Sequence, residues 1–146
     1  MSFVVKAAVD DPRAKTFAFD KQRTMYGGKA IAVGDEIFIF ASETDPPSPR
    51  LRRASGGQGL IARGVVTAAK AHAKPRNVAR WTPRVSIEIA RTAPAKRALG
   101  RDALKAWRGV KDGSAQAELD FKFYRQATNK ICGISDGAAK FLRGFF

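Results

Sequence analysis

The residue types that most often carry out catalysis are rare in this chain and lie far apart in the sequence. His72 is the only histidine, and Cys132 is the only cysteine. A nucleophile needs an activating base beside it, and a zinc site needs three or four His, Cys or acidic ligands. Cys132 also lies in an apolar run, which is typical of a buried thiol. The sequence therefore predicts no catalytic residue, no metal site and no cofactor.

Binding chemistry is better represented, because aromatic and cationic side chains are mixed in two segments. Trp81 lies among the arginines of residues 76–84, and Phe121, Phe123 and Tyr124 precede Arg125. Aromatic rings stack on unpaired bases while cations hold phosphate, so this mixture is typical of proteins that bind a single strand or an extruded base. Core packing is the alternative role for each of these aromatic residues.

The positive charge is concentrated in one part of the chain. Residues 50–111 carry sixteen Lys or Arg and two acids, a net charge of +14 that equals the net charge of the whole chain. A field confined to one segment is typical of polyanion binding, whereas a solvated surface without a partner is the alternative. The candidates for phosphate contact are Arg50, Arg52, Arg53, Arg63, Lys74, Arg76, Arg80 and Arg84.

Short strands separated by turns would position these residues. Strands are predicted at 3–9, 16–19, 36–41, 59–69, 85–90 and 129–134, and helices at 21–26, from 102 to about 107, and after Ser135. The strand at 36–41 is apolar on both faces, and Gly64 marks a bulge or a close backbone approach in the next strand. Three prolines and two glycines predict an exposed, mobile loop at 42–57.

These elements describe one α+β domain over residues 1–146. We expect a small curved mixed sheet or pseudo-barrel of five or six strands with two or three short helices, built around the pairing of the strands within residues 36–69. The single cysteine rules out an internal disulfide, and no stretch approaches the ~20 apolar residues of a membrane span. We therefore expect a cytoplasmic protein without membrane contact, as a monomer or weak homodimer.

The segment Val33-Gly-Asp-Glu-Ile-Phe-Ile-Phe-Ala-Ser42, followed by a loop and Leu60-Ile-Ala-Arg-Gly-Val-Val66, resembles the central signature of EVE domains in the PUA-like superfamily. In that family a Gly-Asp turn begins a strand that ends near Tyr-His-Ser, and the strand after the loop carries Ile-x-Gly-Ile/Val-x-x-Val. Phe40, Ala41 and Ser42 fall at the Tyr-His-Ser positions. The resemblance covers residues 33–66 and implies a pseudo-barrel that binds RNA or DNA, with some members implicated in reading modified bases.

The leading hypothesis is a non-enzymatic nucleic-acid-binding module, in which the basic segment holds the backbone and a cleft accepts a base. The candidates for this pocket are Phe40, Ser42, Trp81, Tyr124, Arg125 and Asn129. One alternative is an enzyme acting on a nucleoside or small anion in an ASCH-like pocket, with Lys29, Glu36 and Tyr124 as the residues involved. Another is an accessory domain that binds acidic protein surfaces or holds nucleic acid loosely.

Overall fold

Six β-strands form the described part of the fold. The computed structural model describes residues 2–9, 11, 13–41, 59–79, 81–96, 118–119 and 130–146. The strands are β1 (Ser2–Ala7), β2 (Thr16–Met25), β3 (Glu36–Ala41), β4 (Gly59–His72), β5 (Arg84–Pro94) and β6 (Lys130–Ile134). A 3₁₀ turn at Gly28–Ala30 follows β2, and helix α1 (Asp136–Arg143) follows β6.

The strands close into a barrel in the order β1-β3-β4-β5-β2-β6. β1 lies parallel to β3 and β2 lies parallel to β6, while the other four neighbouring pairs are antiparallel. This mixed barrel confirms the α+β pseudo-barrel expected from the sequence. The antiparallel ladder between β3 and β4 confirms the pairing predicted within residues 36–69.

Two apolar layers explain why β1 and β3 are hydrophobic on both faces. Phe3 and Ile37 belong to the core inside the barrel, whereas Val4 and Phe38 belong to a second cluster on the outer face. Successive side chains of a strand point to opposite faces, so each strand contributes to both layers. Residues of helix α1 cover the outer layer, and Leu142 is fully buried there.

Helix α1 begins where the sequence predicts it. The Ser135 hydroxyl accepts a hydrogen bond from the Ala138 backbone N–H at 3.2 Å, which satisfies one of the open donors of the first turn. Asp136 lies in the first turn, and Lys140 and Arg143 lie in the last. These charges complement the helix dipole at both ends.

The helix predicted at residues 21–26 is wrong, because β2 continues through that segment to Met25. Lys21 has φ of 47° and marks a bulge, and the pairing of β2 with β5 resumes at Gln22. The Asp20 carboxylate accepts a hydrogen bond from the Ser86 hydroxyl of β5. Asp20 therefore holds two strands together and does not begin a helix.

Gly64 confirms the close backbone approach expected in β4. A Cβ at this position would lie 2.5 Å from the Ala90 carbonyl oxygen and 2.5 Å from Ile89 Cγ2 on β5. Only glycine leaves space for this contact between the two strands. The loop predicted at 42–57 and the helix predicted from Asp102 lie outside the described residues.

Candidate nucleic-acid interface

Four cations lie side by side across four neighbouring strands of the barrel. Arg84 of β5 pairs with Arg23 of β2, Arg23 pairs with Lys130 of β6, and Lys130 pairs with Lys6 of β1. We call these four residues the cationic row. Neighbouring strands lie roughly 4.8 Å apart, so the row extends over roughly 14 Å. Phe40 of β3 pairs with Lys6 and follows the row at its β1 end.

All four side chains of the cationic row point away from the barrel interior. Val85, Ile131 and Val5 belong to the interior core, and each lies next to a cation of the row in its strand. Arg23 is exposed between two buried residues of β2. Because side chains alternate along a strand, the cations share the outer face, where like charges on adjacent strands repel each other.

Lys130 is the buried member of the cationic row. Its side chain is 2% exposed, and its Nζ has no hydrogen-bond partner. Burial lowers the pKa of the Lys130 ammonium to about 8; Cys132 opposes this effect, and the charge of Lys6 adds to it. Among the described residues, Arg84, Arg23 and Lys130 form no ion pair with a carboxylate. These three residues thus concentrate positive charge that no carboxylate of the described residues neutralises.

Trp81 packs against the end of the row in the connection before β5. The Arg84 guanidinium carbon lies 5.1 Å from the centroid of the Trp81 ring, a distance typical of a cation–π contact. Trp81 Nε1 and Arg84 Nε are both buried without a hydrogen-bond partner. The sequence mixes Trp81 with arginines, and the structure brings it into contact with one of them.

A second group of charges, the Glu36 cluster, consists of Ser2, Glu36, Arg63 and Arg143. Arg63 Nη2 lies 2.6 Å from one carboxylate oxygen of Glu36, and Arg143 Nη2 lies 2.7 Å from the other. The Ser2 hydroxyl donates to the same carboxylate at 3.0 Å. Burial raises the pKa of Glu36, but the hydrogen bonds from Arg143 and Ser2 and the nearby charges lower it overall.

The Glu36 cluster links β1, β3, β4 and α1 through one ionised carboxylate. These contacts engage both of its oxygens, which disfavours a catalytic role for Glu36, one of the residues named for the enzyme alternative. Arg63, predicted as a phosphate contact, has one guanidinium nitrogen committed to this structural ion pair.

His72 lies in a polar chain on the outer face, but not in a catalytic triad. The Ser86 hydroxyl lies 2.7 Å from His72 Nε2 and donates to Asp20 Oδ1 at 2.6 Å. The serine therefore lies between histidine and aspartate, whereas a triad requires the histidine to lie between the other two. The Ser86 hydrogen bond lowers the pKa of Asp20, which burial opposes. Cys132 is on β6, which lies three strands away from β4 in either direction around the barrel, and its neighbour Ile131 belongs to the interior core, so the Cys132 side chain points to the outer face.

The structure separates the predicted pocket residues that it describes. Phe40 is 4% exposed and packs in the outer apolar cluster, whereas Trp81 contacts Arg84 at the opposite end of the row. Phe40 pairs with Leu60 and Arg84 pairs with His72, so the two residues lie near opposite ends of β4. The remaining pocket candidates lie outside the described residues: Ser42, Tyr124, Arg125 and Asn129.

The predicted phosphate contacts are likewise only partly described. Lys74 and Arg76 are exposed in the connection between β4 and β5, and Arg84 lies in the cationic row. Arg50, Arg52, Arg53 and Arg80 lie outside the described residues. Lys6, Arg23 and Lys130 were not predicted from the sequence, because they come from segments whose net charge is close to zero. The sequence signal that could have identified them as candidate phosphate contacts is a single cation at the start of an apolar strand or within one.

An open groove of about 370 Å³ lies on the outer face of β2, β4 and β5. Its floor includes Ala18 and Ala68, and its polar lining includes Asp20, Glu88 and Lys70. Two carboxylates repel a phosphate group, so the groove does not fit an anionic ligand.

The described residues contain no group of three His, Cys, Asp or Glu placed to hold a metal ion. Within the same residues, no helix has the length and hydrophobicity needed to cross a membrane.

No sequence model of a known protein family matches the chain. No protein of curated function is similar to it in sequence at a significant level. The similarity to known proteins is therefore a similarity of structure.

Several solved structures share the fold over nearly their whole length. Human THYN1, in complex with DNA that contains 5-methylcytosine, aligns with a TM-score of 0.63 and 14% identity, over 98% of this chain and 95% of that one. The DUF55 domain of human thymocyte nuclear protein 1 aligns with a TM-score of 0.62 and 14% identity, over 99% and 97%.

A bacterial structure extends this similarity. A protein from Pseudomonas putida aligns with a TM-score of 0.60 and 17% identity, over 99% of both chains. The pseudo-barrel predicted from the sequence is therefore confirmed as a fold, and the chain has the fold of the DUF55 domain of human thymocyte nuclear protein 1.

Proposed function

We propose that this protein is a nucleic-acid-binding module whose cationic row holds the phosphate backbone and whose Trp81 stacks on a base. The observation that carries the proposal is that Arg84, Arg23 and Lys130 lie on adjacent strands and have no carboxylate partner among the described residues. A bound polyanion would supply the missing negative charge. The fold supports the proposal, because a human protein with the same architecture has been crystallised with DNA.

The dimensions of the row fit a short stretch of nucleic-acid backbone. The row extends over roughly 14 Å, and each strand of a duplex carries one phosphate per roughly 3.4 Å of helix axis. The row therefore matches the length of a backbone segment that contains about four phosphates. Exposed Lys74 and Arg76, in the connection that also holds Trp81, extend the positive surface beyond Arg84.

Base selection would come from side chains other than these cations, because backbone contacts carry no sequence information. Trp81 is half-buried beside Arg84, so a base whose phosphate is held by the row lies within reach of its ring. We extend the proposal to a modified base in DNA, on the support of the 5-methylcytosine in the human complex. For this protein itself, the cytoplasmic location and the monomeric or weakly dimeric state stay predictions.

Charge reversal within the row tests the proposal. Binding of fluorescent oligonucleotides, single-stranded and duplex, with cytosine or 5-methylcytosine, is measured by anisotropy. The double variant Arg23→Glu with Arg84→Glu should bind at least about 100-fold more weakly, because each lost charge-assisted contact is worth about 1.5–3 kcal/mol. The matched control is Lys15→Glu with Lys140→Glu, which changes the net charge equally at exposed positions outside the row.

The control should lose less than about fivefold, since screened charges away from the ligand contribute little. An equal loss in both variants would show that binding follows net charge and not the row. Absence of oligonucleotide binding at low salt would overturn the proposal.

A second experiment tests the stacking role of Trp81. The variant Trp81→Ala should bind single strands about tenfold more weakly, as expected for the loss of one stacked base.

A further inference from the structure

Buried polar atoms without a partner are concentrated around one residue. Within the described part of the chain, these atoms are Gln22 Oε1, Trp81 Nε1, Arg84 Nε and Lys130 Nζ. Arg84 and Lys130 pair with Arg23 on its two sides, Gln22 precedes it, and Trp81 stacks on Arg84. Each unsatisfied buried polar group lowers the stability of the folded state by about 1–3 kcal/mol. Four such groups in one place therefore call for an explanation.

Three of these four atoms are N–H donors on the outer face. Gln22 differs, because it pairs with the interior residue Val85 and its amide donates to the Asp20 carbonyl oxygen at 2.8 Å. The donors of Trp81, Arg84 and Lys130 therefore lack an acceptor on the same side of the sheet. The Asp20 carboxylate accepts a hydrogen bond from the Ser86 hydroxyl. The missing acceptor must come from outside the described fold.

We propose that Arg84, Arg23 and Lys130 form a single oxyanion-binding site, and that its ligand is a phosphate group. A backbone phosphodiester carries two non-bridging oxygens that share its negative charge, and each can accept charge-assisted hydrogen bonds from more than one direction. Three cations from three neighbouring strands can therefore contact it together. The inference rests on the proposed function in one respect, since a backbone phosphodiester is the source of phosphate that we expect.

The three cations contribute in different ways. Arg23 is exposed and makes the first contact with the ligand. Trp81 packs on the Arg84 guanidinium and limits its rotation, which favours the fork geometry that binds phosphate. Lys130 lies one strand spacing from Arg23, and its flexible four-carbon stem lets the ammonium reach an anion held there. The bound phosphate then gives the buried ammonium the partner that it lacks.

Sulfate is the probe for this site, because it is tetrahedral and its charge is constant above pH 3. Sulfate binding to the whole chain is measured by calorimetry between pH 7 and pH 9. Affinity should fall about tenfold over this range, because the Lys130 ammonium loses its proton while both guanidinium groups stay charged. Among the described residues, the charged or titratable groups that act on Lys130 or pair with it are Lys6 on β1, Arg23 on β2 and Cys132 on β6. Burial raises the pKa of Tyr26, which follows β2 and interacts with Cys132.

Two variants separate a binding role of Lys130 from a structural one. Lys130→Met, of similar volume and without charge, should bind sulfate at least tenfold more weakly at pH 7 and lose the pH dependence. Arg23→Gln should weaken binding but keep the pH dependence, and the exposed control Lys140→Gln should change neither. A Lys130→Met variant that binds sulfate like the wild type, or keeps the pH dependence, would overturn the site.

Competition with an oligonucleotide identifies the source of the phosphate. Displacement of sulfate by an unlabelled oligonucleotide supports a backbone phosphodiester, whereas displacement only by inorganic phosphate overturns that source and supports a free anion. Oligonucleotide binding that requires Arg23 and Arg84 but not Lys130 would contradict this inference and leave the proposed function standing. Sulfate binding without any oligonucleotide binding would support the site and contradict the proposed function.

Discussion

The two charged groups of this barrel each contain two arginines but differ in their electrostatic balance. The Glu36 cluster places two arginines and a serine on one carboxylate. The cationic row contains no carboxylate, and three of its members lack any ion pair within the described residues. Both groups include a residue of β1, the strand that pairs with β3. Ser2 and Glu36 form one pair within the Glu36 cluster, and Lys6 of the row pairs with Phe40 further along the same strands. Only four residues, roughly 13 Å along a strand, separate the two groups.

This difference distinguishes a structural use of cations from a binding use. In the Glu36 cluster the pKa of the carboxylate is lowered overall, so its ionised form stabilises the folded state. In the row the pKa of the Lys130 ammonium is lowered to about 8 by burial, so its charged form destabilises the folded state. The first group is complete without a ligand, whereas the second carries a cost that a bound anion would offset.

The largest effect on stability is expected from Lys130→Met. Moving the pKa from 10.5 to about 8 corresponds to about 3 kcal/mol at pH 7, at 1.36 kcal/mol per unit. The variant should therefore unfold with a free energy about 3 kcal/mol larger at pH 7 in the absence of anions. Urea unfolding at low ionic strength measures this, and a destabilised variant would contradict the burial of an unpaired charge.

The same residue predicts the pH dependence of wild-type stability. Between pH 8 and about 10.5 the unfolded chain keeps the Lys130 proton that the folded protein has released. Stability therefore rises with pH across this window. Lys130→Met should remove this rise while leaving the behaviour at lower pH unchanged.

A smaller loss of stability is expected from Glu36→Gln. The amide keeps the shape of the side chain but leaves Arg63 and Arg143 without their counter-charge, which should cost about 2 kcal/mol in this half-buried setting. Glu88→Gln is the matched control, because Glu88 is exposed on β5 and makes no ion pair within the described residues. We expect the control to change stability by less than about 0.5 kcal/mol.

The pKa direction at Glu36 predicts where this stabilisation is lost. Because the folded pKa is lower than its ordinary value of 4.5, the contribution is present above that value and disappears as the pH falls through the folded pKa. Thermal melts from pH 6 to pH 3 should therefore converge for the wild type and Glu36→Gln. A constant difference across this range would contradict the ionised role of Glu36.

The smallest effect concerns the salt dependence of oligonucleotide binding. For about four to six phosphate contacts the logarithm of affinity should fall with the logarithm of salt concentration with a slope of about −3 to −5. Arg23→Gln should reduce the size of this slope by about 0.7–0.9, the value for one lost phosphate contact. Arg143→Gln should leave the slope unchanged, because Arg143 is committed to Glu36. Equal changes in both variants would remove the distinction between the two groups.

Local sequence determined several elements of the fold correctly. The serine before helix α1 caps it as predicted, and the apolar runs at 36–41 and 59–69 form β3 and β4. Their signals are contained in a few consecutive residues. The Gly-Asp turn and the following strands also carried the resemblance that led to the correct barrel. The helix prediction for residues 21–26 was wrong, because the pairing of this segment with β5 outweighed a local sequence pattern typical of a helix.

Only the tertiary structure decided the location of the binding surface. The basic segment of residues 50–111 contributes Arg84 to the cationic row, while Lys6, Arg23 and Lys130 come from segments that are almost neutral. Strand register brings these four residues together, and register depends on long-range pairing that composition does not reveal. The sequence by itself determined the large positive charge of the chain and indicated a small barrel of mixed strands. Which cations a carboxylate neutralises, and which stay available for a ligand, depended on the neighbours that barrel closure gave them.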